Sequence, residues 1–389
     1  MNNWVKSNLR GDYQLWVIVT ILAVMSFLVT SSAASMNLLK YRTGSEHYLV
    51  KHTLALLLSL FCIYRVHKIP YYYWARISRP IMIISVLLIL YAYFFGIEIN
   101  HAKRWIPVPL FGTFQPSDLA KVALIINLAA MLANNQHNQE YSWKTIRPML
   151  GWSILVCATI ALSNVSTAVL LLGTCFLLMY IGRVPRKYLV TLVGGGTSFA
   201  VVLGIIAITF VTFFGKVKKD EKRSVVVTRI ETAISRIKSY ASGEVLDQQA
   251  LSYMAIAKGG LIGRGAGHSQ QRNFLSQSDS DFVYSIIIEE WGLIGGIFTL
   301  CLYLWLLYRG MKAVDSSGRA FGGLLSAGLT FSLVIQALVN MGTATGTTPV
   351  AGQTLPLISM GGTSLLFTGI ALGIVISVSR DRVNNRVLA

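Results

Sequence analysis

Apolar residues run through this chain in blocks of about twenty, separated by shorter polar stretches. The blocks predict spans at 15–34, 48–66, 80–97, 117–134, 148–163, 165–182, 188–214, 284–308, 320–342 and 364–379. A helix of about 20 apolar residues crosses the roughly 30 Å hydrocarbon layer and satisfies its own backbone hydrogen bonds there. The short alternating strands of a transmembrane barrel are not seen in the sequence. The run 151–182 is too long for one ordinary span, and the polar pair Ser163-Asn164 divides it at a tight turn. The run at 15–34 follows Lys6 and Arg10 as a signal peptide would, but it is long for one and many spans follow, so it reads as an uncleaved first helix. The expectation is an all-α integral membrane protein of about ten transmembrane helices, a single polytopic domain over 1–389.

Composition agrees. Hydrophobic residues make up 54 % of the chain and charged residues 13 %, against roughly 25 % charge in soluble domains. Cys62, Cys157, Cys175 and Cys301 lie in apolar runs without metal-ligand spacing and read as core thiols. The net charge of +18 raises the question of nucleic acid. The basic residues are spread over the connections and form no single patch, which fits membrane topology and anionic lipid and excludes a nucleic-acid platform.

With both termini on one side, that side holds seventeen Lys and Arg, from Lys6 and Arg10 to Arg382 and Arg386. The other side, the long connection set aside, holds six: Lys40, Arg42, Lys51, Lys103, Arg104 and Lys121. The positive-inside rule then puts both termini in the cytoplasm. It also makes the long connection between helices seven and eight, about 215–283, extracytoplasmic. Its first half sets Val227, Ile230, Ile234 and Ile237 at helical spacing among eight basic residues, equally an amphipathic surface helix or a solvated loop. Its second half, Lys258 to Gly267, is rich in glycine. Loops this long in compact proteins are usually functional.

Three polar stretches punctuate the apolar pattern. Asp279, Asp281, Glu289 and Glu290 gather four of the sixteen acids at and inside the start of the eighth helix. An aspartate at a helix start serves as a cap or as a catalytic group, while glutamates inside a span need polar partners or a cavity. Gln115-Pro116-Ser117-Asp118-Leu119-Ala120-Lys121 puts an acid and a lysine at i, i+3 in a first turn. That is a local ion pair or a functional site. From Asn340 to Ser364, glycines and prolines break the helix; this is an ordinary breaker-rich loop or a backbone that approaches a ligand closely. No metal-ligand His pair, nucleophile elbow or P-loop is found in the sequence.

Taken together, Gln115 to Lys121, Ser280-Asp281-Phe282 with Glu289-Glu290-Trp291-Gly292 downstream, and Leu355-Pro356-Leu357-Ile358-Ser359-Met360-Gly361-Gly362-Thr363-Ser364 resemble, in order and spacing, the SEDS family (shape, elongation, division and sporulation) of peptidoglycan polymerases. The resemblance covers essentially the whole chain, and Thr354 to Ser359 looks more like the division branch than the elongation branch. It implies a glycosyltransferase that polymerises lipid II, an undecaprenyl-pyrophosphate-linked substrate, on the outer face of the bacterial cytoplasmic (inner) membrane, at the division septum. It implies a class B penicillin-binding protein, a transpeptidase, as partner, with other divisome proteins. The family's essential aspartate falls on Asp281, and its substrate-binding positions on Arg104, Asp118, Lys121 and Gln248, with Lys258, Ser359, Gly361 and Gly362 added. Asp281 would be the base, and Lys121, Arg104 and Lys258 would stabilise the leaving pyrophosphate. No metal ligands are assigned; a divalent cation (Mg or Mn) could assist.

The chain departs from the family pattern in places. Asp118 stands where glutamate is usual, Asp279 adds an acid beside Asp281 where the family has proline nearby, and Ser163-Asn164 replaces Pro-Asp. Met360 replaces the tyrosine of Tyr-Gly-Gly, and no Gly-Tyr precedes Gln248. A lipid II flippase is the rival reading, because broken helices and intramembrane charge also suit transporters.

Overall fold

The computed structural model describes residues 9–40, 45–99, 102–108, 112–136, 142–190, 194, 235–236, 239–240, 242, 246–275 and 280–387. In chain order its elements are α1 Tyr13–Lys40, α2 Ser45–Val66, α3 Tyr72–Phe95, β1 Ile97–Ile99, β2 Ala102–Val108, β3 Gly112–Phe114, α4 Pro116–Gln136, α5 Trp143–Ala161, α6 Val165–Ile181, α7 Asp247–Gly259, α8 Val283–Ser316, α9 Ala320–Thr345 and α10 Gly362–Val387. Among the described residues, seven helices are long and apolar enough to cross a membrane: α1 to α4 and α8 to α10. Helix α5 occupies the span expected at 148–163, and α6 the one at 165–182. The span expected at 188–214 and the helix or loop expected at 216–238 lie almost wholly outside the described residues. The chain is a multi-pass membrane protein.

Contacts divide the chain into two compact units. One, Tyr72–Lys238, holds α3 to α6 and a small antiparallel sheet in the order β1-β2-β3. Helices α3 and α4 pack together, with Asn127 Nδ2 donating to Ser78 Oγ at 3.3 Å. The turn expected at Ser163-Asn164 separates α5 from α6, and the Asn164 side chain caps α6 by accepting from Thr167 N at 3.2 Å. Strands β1 and β3, three residues each, carry too little alternation to register as a pattern in the sequence.

The other unit, Met1–Tyr71 with Ser239–Ala389, holds α1, α2 and α7 to α10. With little hydrophobic drive between helices in lipid, close packing has to come from small residues. A Cβ at Gly310 of α8 would lie 2.2 Å from Thr330 Oγ1 of α9. Ser326 Oγ donates to Gly310 O at 2.9 Å across the same crossing. Helix α10 meets α2 likewise: Ser59 Oγ donates to Leu365 O at 2.7 Å, and a Cβ at Gly369 would meet Ser59 Oγ at 2.5 Å. Arg309 of α8 pairs with Asp12, whose amide donates to Ser379 Oγ at 3.0 Å. All four cysteines are free; Cys157 and Cys175 are buried as expected. Cys301 is not a core thiol: it is exposed, on the outward face of α8.

Helix α8 is broken at Gly292, with φ 70° and ψ −174°. The glycine-rich loop after α7 fills the break. Arg264 N and Gly265 N donate to Glu289 O (3.0 Å) and Glu290 O (2.9 Å), while Leu293 N and Ile294 N donate to Gly260 O (2.9 Å) and Leu261 O (3.3 Å). These bonds satisfy backbone groups that the break would otherwise leave unpaired in a poorly hydrated place. Only glycine allows the approach: a Cβ at Gly292 would lie 2.2 Å from Leu261 O, and one at Gly263 (φ 89°) 2.3 Å from Glu290 O.

Candidate active site

Asp281 lies half-buried in the turn entering α8. The N-cap position of α8 falls on Phe282, whose side chain makes no cap. Side chains from the 340–364 stretch hold its backbone. Asn340, fully buried near the end of α9, donates from Nδ2 to Asp281 O (2.9 Å), Gln353 O (2.6 Å) and, at longer reach, Ser280 O (3.4 Å). Ser359 Oγ donates to Ser280 O at 2.8 Å and accepts from Leu355 N at 2.7 Å. A Cβ on Gly352 would sit 3.5 Å from Asp281 Oδ2, so the facing loop brings bare backbone up to the carboxylate. Leu275, Phe282, Ile286 and Val350 bury together in one apolar cluster beside the aspartate. Asp279 lies within 276–279, outside the described residues.

The loop that carries Ser359 is itself rigid. Gln336 Nε2 donates to Thr354 O at 2.9 Å, Ser26 Oγ to Ile358 O at 3.1 Å and the Tyr303 hydroxyl to Pro356 O. Leu357, buried, is held at φ 66°, a conformation a non-glycine residue adopts only when its surroundings impose it. Gly362 opens α10, with Met360 and Gly361 between it and Ser359.

Glu289 and Glu290 are fully buried and partnered, as buried carboxylates must be. Glu289 accepts from Ser269 Oγ, from Gln270 N at 3.0 Å and from Gln271 N at 3.3 Å. Glu290 pairs with Arg272 Nη1 at 3.3 Å and accepts from Ser32 Oγ. Arg272 also donates to Ser32 Oγ and Val29 O, both at 2.8 Å, so one buried guanidinium ties α1, α8 and the segment leading to Asp281. Sequence reasoning passed over Arg272. Two buried glutamates call for a cation, and that demand was the available signal.

Gln248 and Lys258 stand at opposite ends of α7, ten residues and so about 15 Å apart along the axis. The helix does not bring them together. Lys258 is exposed and donates to Gln270 Oε1 at 3.5 Å.

In the unit of residues 72–238, Asp118 and Lys121 form the ion pair their spacing predicts, Oδ1 to Nζ at 2.8 Å. Asp118 is buried, and its second oxygen, Oδ2, has no hydrogen-bond partner among the described residues. Pro116 opens the helix, and Gln115 Nε2 donates to Ser117 Oγ at 2.9 Å. Arg104 projects from β2, its guanidinium 5.6 Å from the Trp105 ring. Ile106 pairs with Phe114, so β2, which carries Arg104, is joined through β3 to the start of α4. Among the described residues no three His, Cys, Asp or Glu side chains converge as a metal-ligand set.

A carboxylate on a pinned backbone, bordered by a glycine, is equipped to take a proton from a hydroxyl. The sequence model of the FtsW/RodA/SpoVE family, described as cell cycle protein, matches residues 12–384. The chain is 29 % identical to the probable peptidoglycan glycosyltransferase FtsW of Aliivibrio salmonicida, over 98 % of this chain and 92 % of that protein. It is also 29 % identical to the stage V sporulation protein E of Bacillus subtilis, over 94 % and 96 % respectively. Among solved structures, a chain from a study of how a peptidoglycan synthase complex coordinates polymerization and crosslinking superposes with a TM-score of 0.70, at 26 % identity, over 96 % of this chain and 98 % of that one.

Proposed function

Since the chain belongs to the FtsW/RodA/SpoVE family of cell cycle proteins, we propose that it is a peptidoglycan glycosyltransferase that polymerises lipid II on the outer face of the cytoplasmic membrane. The observation that carries this reading is the attachment of two successive main-chain carbonyls, Asp281 O to Asn340 and Ser280 O to Ser359. A base that removes a proton in the transition state must hold its position, and general-base catalysis of this kind contributes roughly 10²- to 10⁴-fold. The 4-hydroxyl of the acceptor sugar attacks the anomeric carbon of the donor while its proton passes to the Asp281 carboxylate. The bond from that carbon to the phosphate oxygen breaks, and the lipid pyrophosphate departs. Cations stabilise the departing charge, the larger electrostatic contribution in most enzymes. Lys121, Arg104 and Lys258 are the candidates proposed for this role.

The proposed partner is a class B penicillin-binding protein, in line with the synthase complex that supplies the structural likeness. Septal synthesis with other divisome proteins is the proposed setting, since the Aliivibrio relative carries the FtsW name. The break at Gly292 and the buried Arg272–Glu290 pair are features that a lipid II flippase would share. Against that rival, Glu289 accepts three hydrogen bonds and Glu290 is paired, so they act as fixtures and not as an exchangeable path for a headgroup. The test is polymerisation of lipid II by the purified chain, with and without candidate transpeptidases. Asp281→Ala should abolish glycan formation and Asp279→Ala should retain substantial activity; equal retention by both would sink the assignment.

A further inference from the structure

The break in α8 marks a change in surroundings that the catalytic reading does not use. Every residue from Phe282 to Glu290 is buried. Beyond Gly292, Leu293, Ile294, Ile297, Phe298, Leu304 and Tyr308 are exposed, the spacing of one helical face. On a membrane-spanning helix an apolar stripe of this kind faces lipid. Its far end is set by Arg309 and Lys312. A 30 Å hydrocarbon layer takes about 20 residues at 1.5 Å each, and counting back that far from Lys312 arrives at Gly292. The break therefore lies at the opposite edge of the hydrocarbon layer.

The loop that fills the break shows its most apolar residues there. Leu261 is 69 % exposed and Ile262 81 % exposed, and the exposed cations Lys258 and Arg264 flank them. Leu293 N to Gly260 O and Ile294 N to Leu261 O join this tip to the first turn of the lipid-facing stripe. We infer that the hairpin Gly260 to Arg264 is a membrane anchor, with Leu261 and Ile262 in the outer acyl layer and Arg264 and Lys258 at the lipid phosphates. Continuity with the stripe on α8 and the cations at headgroup level favour bilayer lipid as the occupant. Because the same hairpin is bonded to Glu289 O and Glu290 O, the anchor fixes the depth of the buried helical stub that begins just after Asp281.

The experiment is nitroxide labelling at Ile262→Cys and, separately, at Leu261→Cys. Both are made in a chain whose Cys62, Cys157, Cys175 and Cys301 are replaced by Ser or Ala, reconstituted alone into phosphatidylethanolamine and phosphatidylglycerol vesicles. A label at Phe298→Cys reports lipid and one at Gly318→Cys, in the exposed turn between α8 and α9, reports water. Collisions with oxygen, which concentrates among acyl chains, are compared with collisions with a water-soluble nickel chelate. Both tip labels should match the Phe298 position, with oxygen favoured several-fold over its ratio at Gly318. A Gly318-like ratio at the tip would overturn the anchor. So would exclusion of both reagents, which would mean that protein covers the tip.

Discussion

Asn340 and Asp281 are 59 residues apart in sequence and are joined by a single hydrogen bond, from the buried Asn340 Nδ2 to the Asp281 carbonyl at 2.9 Å. The same amide reaches Gln353 O at 2.6 Å, so one side chain sets the aspartate against the loop that faces it. The arrangement needs a donor. Asn340→Asp, equal in size, would aim a carboxylate oxygen at three carbonyls, whereas Asn340→Ala only removes the bonds. Lipid II polymerisation should fall at least tenfold in the alanine variant and further in the aspartate variant. Buried groups left unsatisfied cost about 1–3 kcal/mol each, so thermal stability in detergent should follow the same order. An aspartate variant more active than the alanine variant would refute the positioning role.

Asp281→Asn separates charge from shape. The Asn340 and Ser359 bonds go to main-chain oxygens of Asp281 and Ser280 and survive the substitution. The melting temperature should stay within a degree or two of wild type, while the rate falls about 10²- to 10⁴-fold with the loss of the base. Single-turnover assays on purified lipid II measure the rate, and scanning fluorimetry the stability.

The Arg272–Glu290 pair is a stability element with a distinctive mutant pattern. Removing one partner leaves a buried charge uncompensated, at about 3–5 kcal/mol, whereas replacing both with apolar residues is often close to neutral. Arg272→Met and Glu290→Leu should each lower the melting temperature sharply, and the double variant should recover much of the loss. Additive losses would show that the two side chains act independently.

How far the sequence announced this follows from the range of each interaction. Apolar runs located the helices because a span's length and composition are local properties, and the Ser163-Asn164 turn was legible for the same reason. The stretches around Asp281 and Ser359 stood out as interruptions of an apolar pattern, and the structure joins them through Asn340. Arg104, Asp118 and Lys121 belong to the other unit, where the Asp118–Lys121 pair forms as i, i+3 spacing suggests. What stayed hidden depends on distant partners. Arg272 acquires meaning only beside Ser32, 240 positions away, and Glu290. The break at Gly292 falls inside 284–308, a stretch that reads as one continuous span, and it depends on the hairpin that the fold places against it.

Gly292→Ala tests that break. At φ 70° with a Cβ 2.2 Å from Leu261 O, alanine must push the hairpin away or straighten the helix. The variant should express poorly or melt many degrees lower. Gly151→Ala, inside α5 with nothing within 4 Å of its Cβ, is the control. It should be neutral or stabilising by up to about 1 kcal/mol from helix propensity alone. Comparable melting temperatures for the two variants would mean that the break is not required.

The Asp118–Lys121 pair has two separable roles, fold stability and catalysis. The carboxylate is buried and bonded through Oδ1 to a lysine that is itself largely covered. Lys121→Met would leave Asp118 charged without compensation and should destabilise the protein by about 3–5 kcal/mol. Asp118→Leu combined with Lys121→Met removes both charges and should return most of that stability. If the pair served folding alone, polymerisation would return with it. On the proposal that Lys121 stabilises the departing pyrophosphate, the double variant folds and binds its transpeptidase yet stays inactive on lipid II, while Asp118→Glu, which keeps the ion pair, retains activity. Melting curves and polymerisation assays on the same preparations decide between the two, and an active double variant would remove Lys121 from the catalytic machinery.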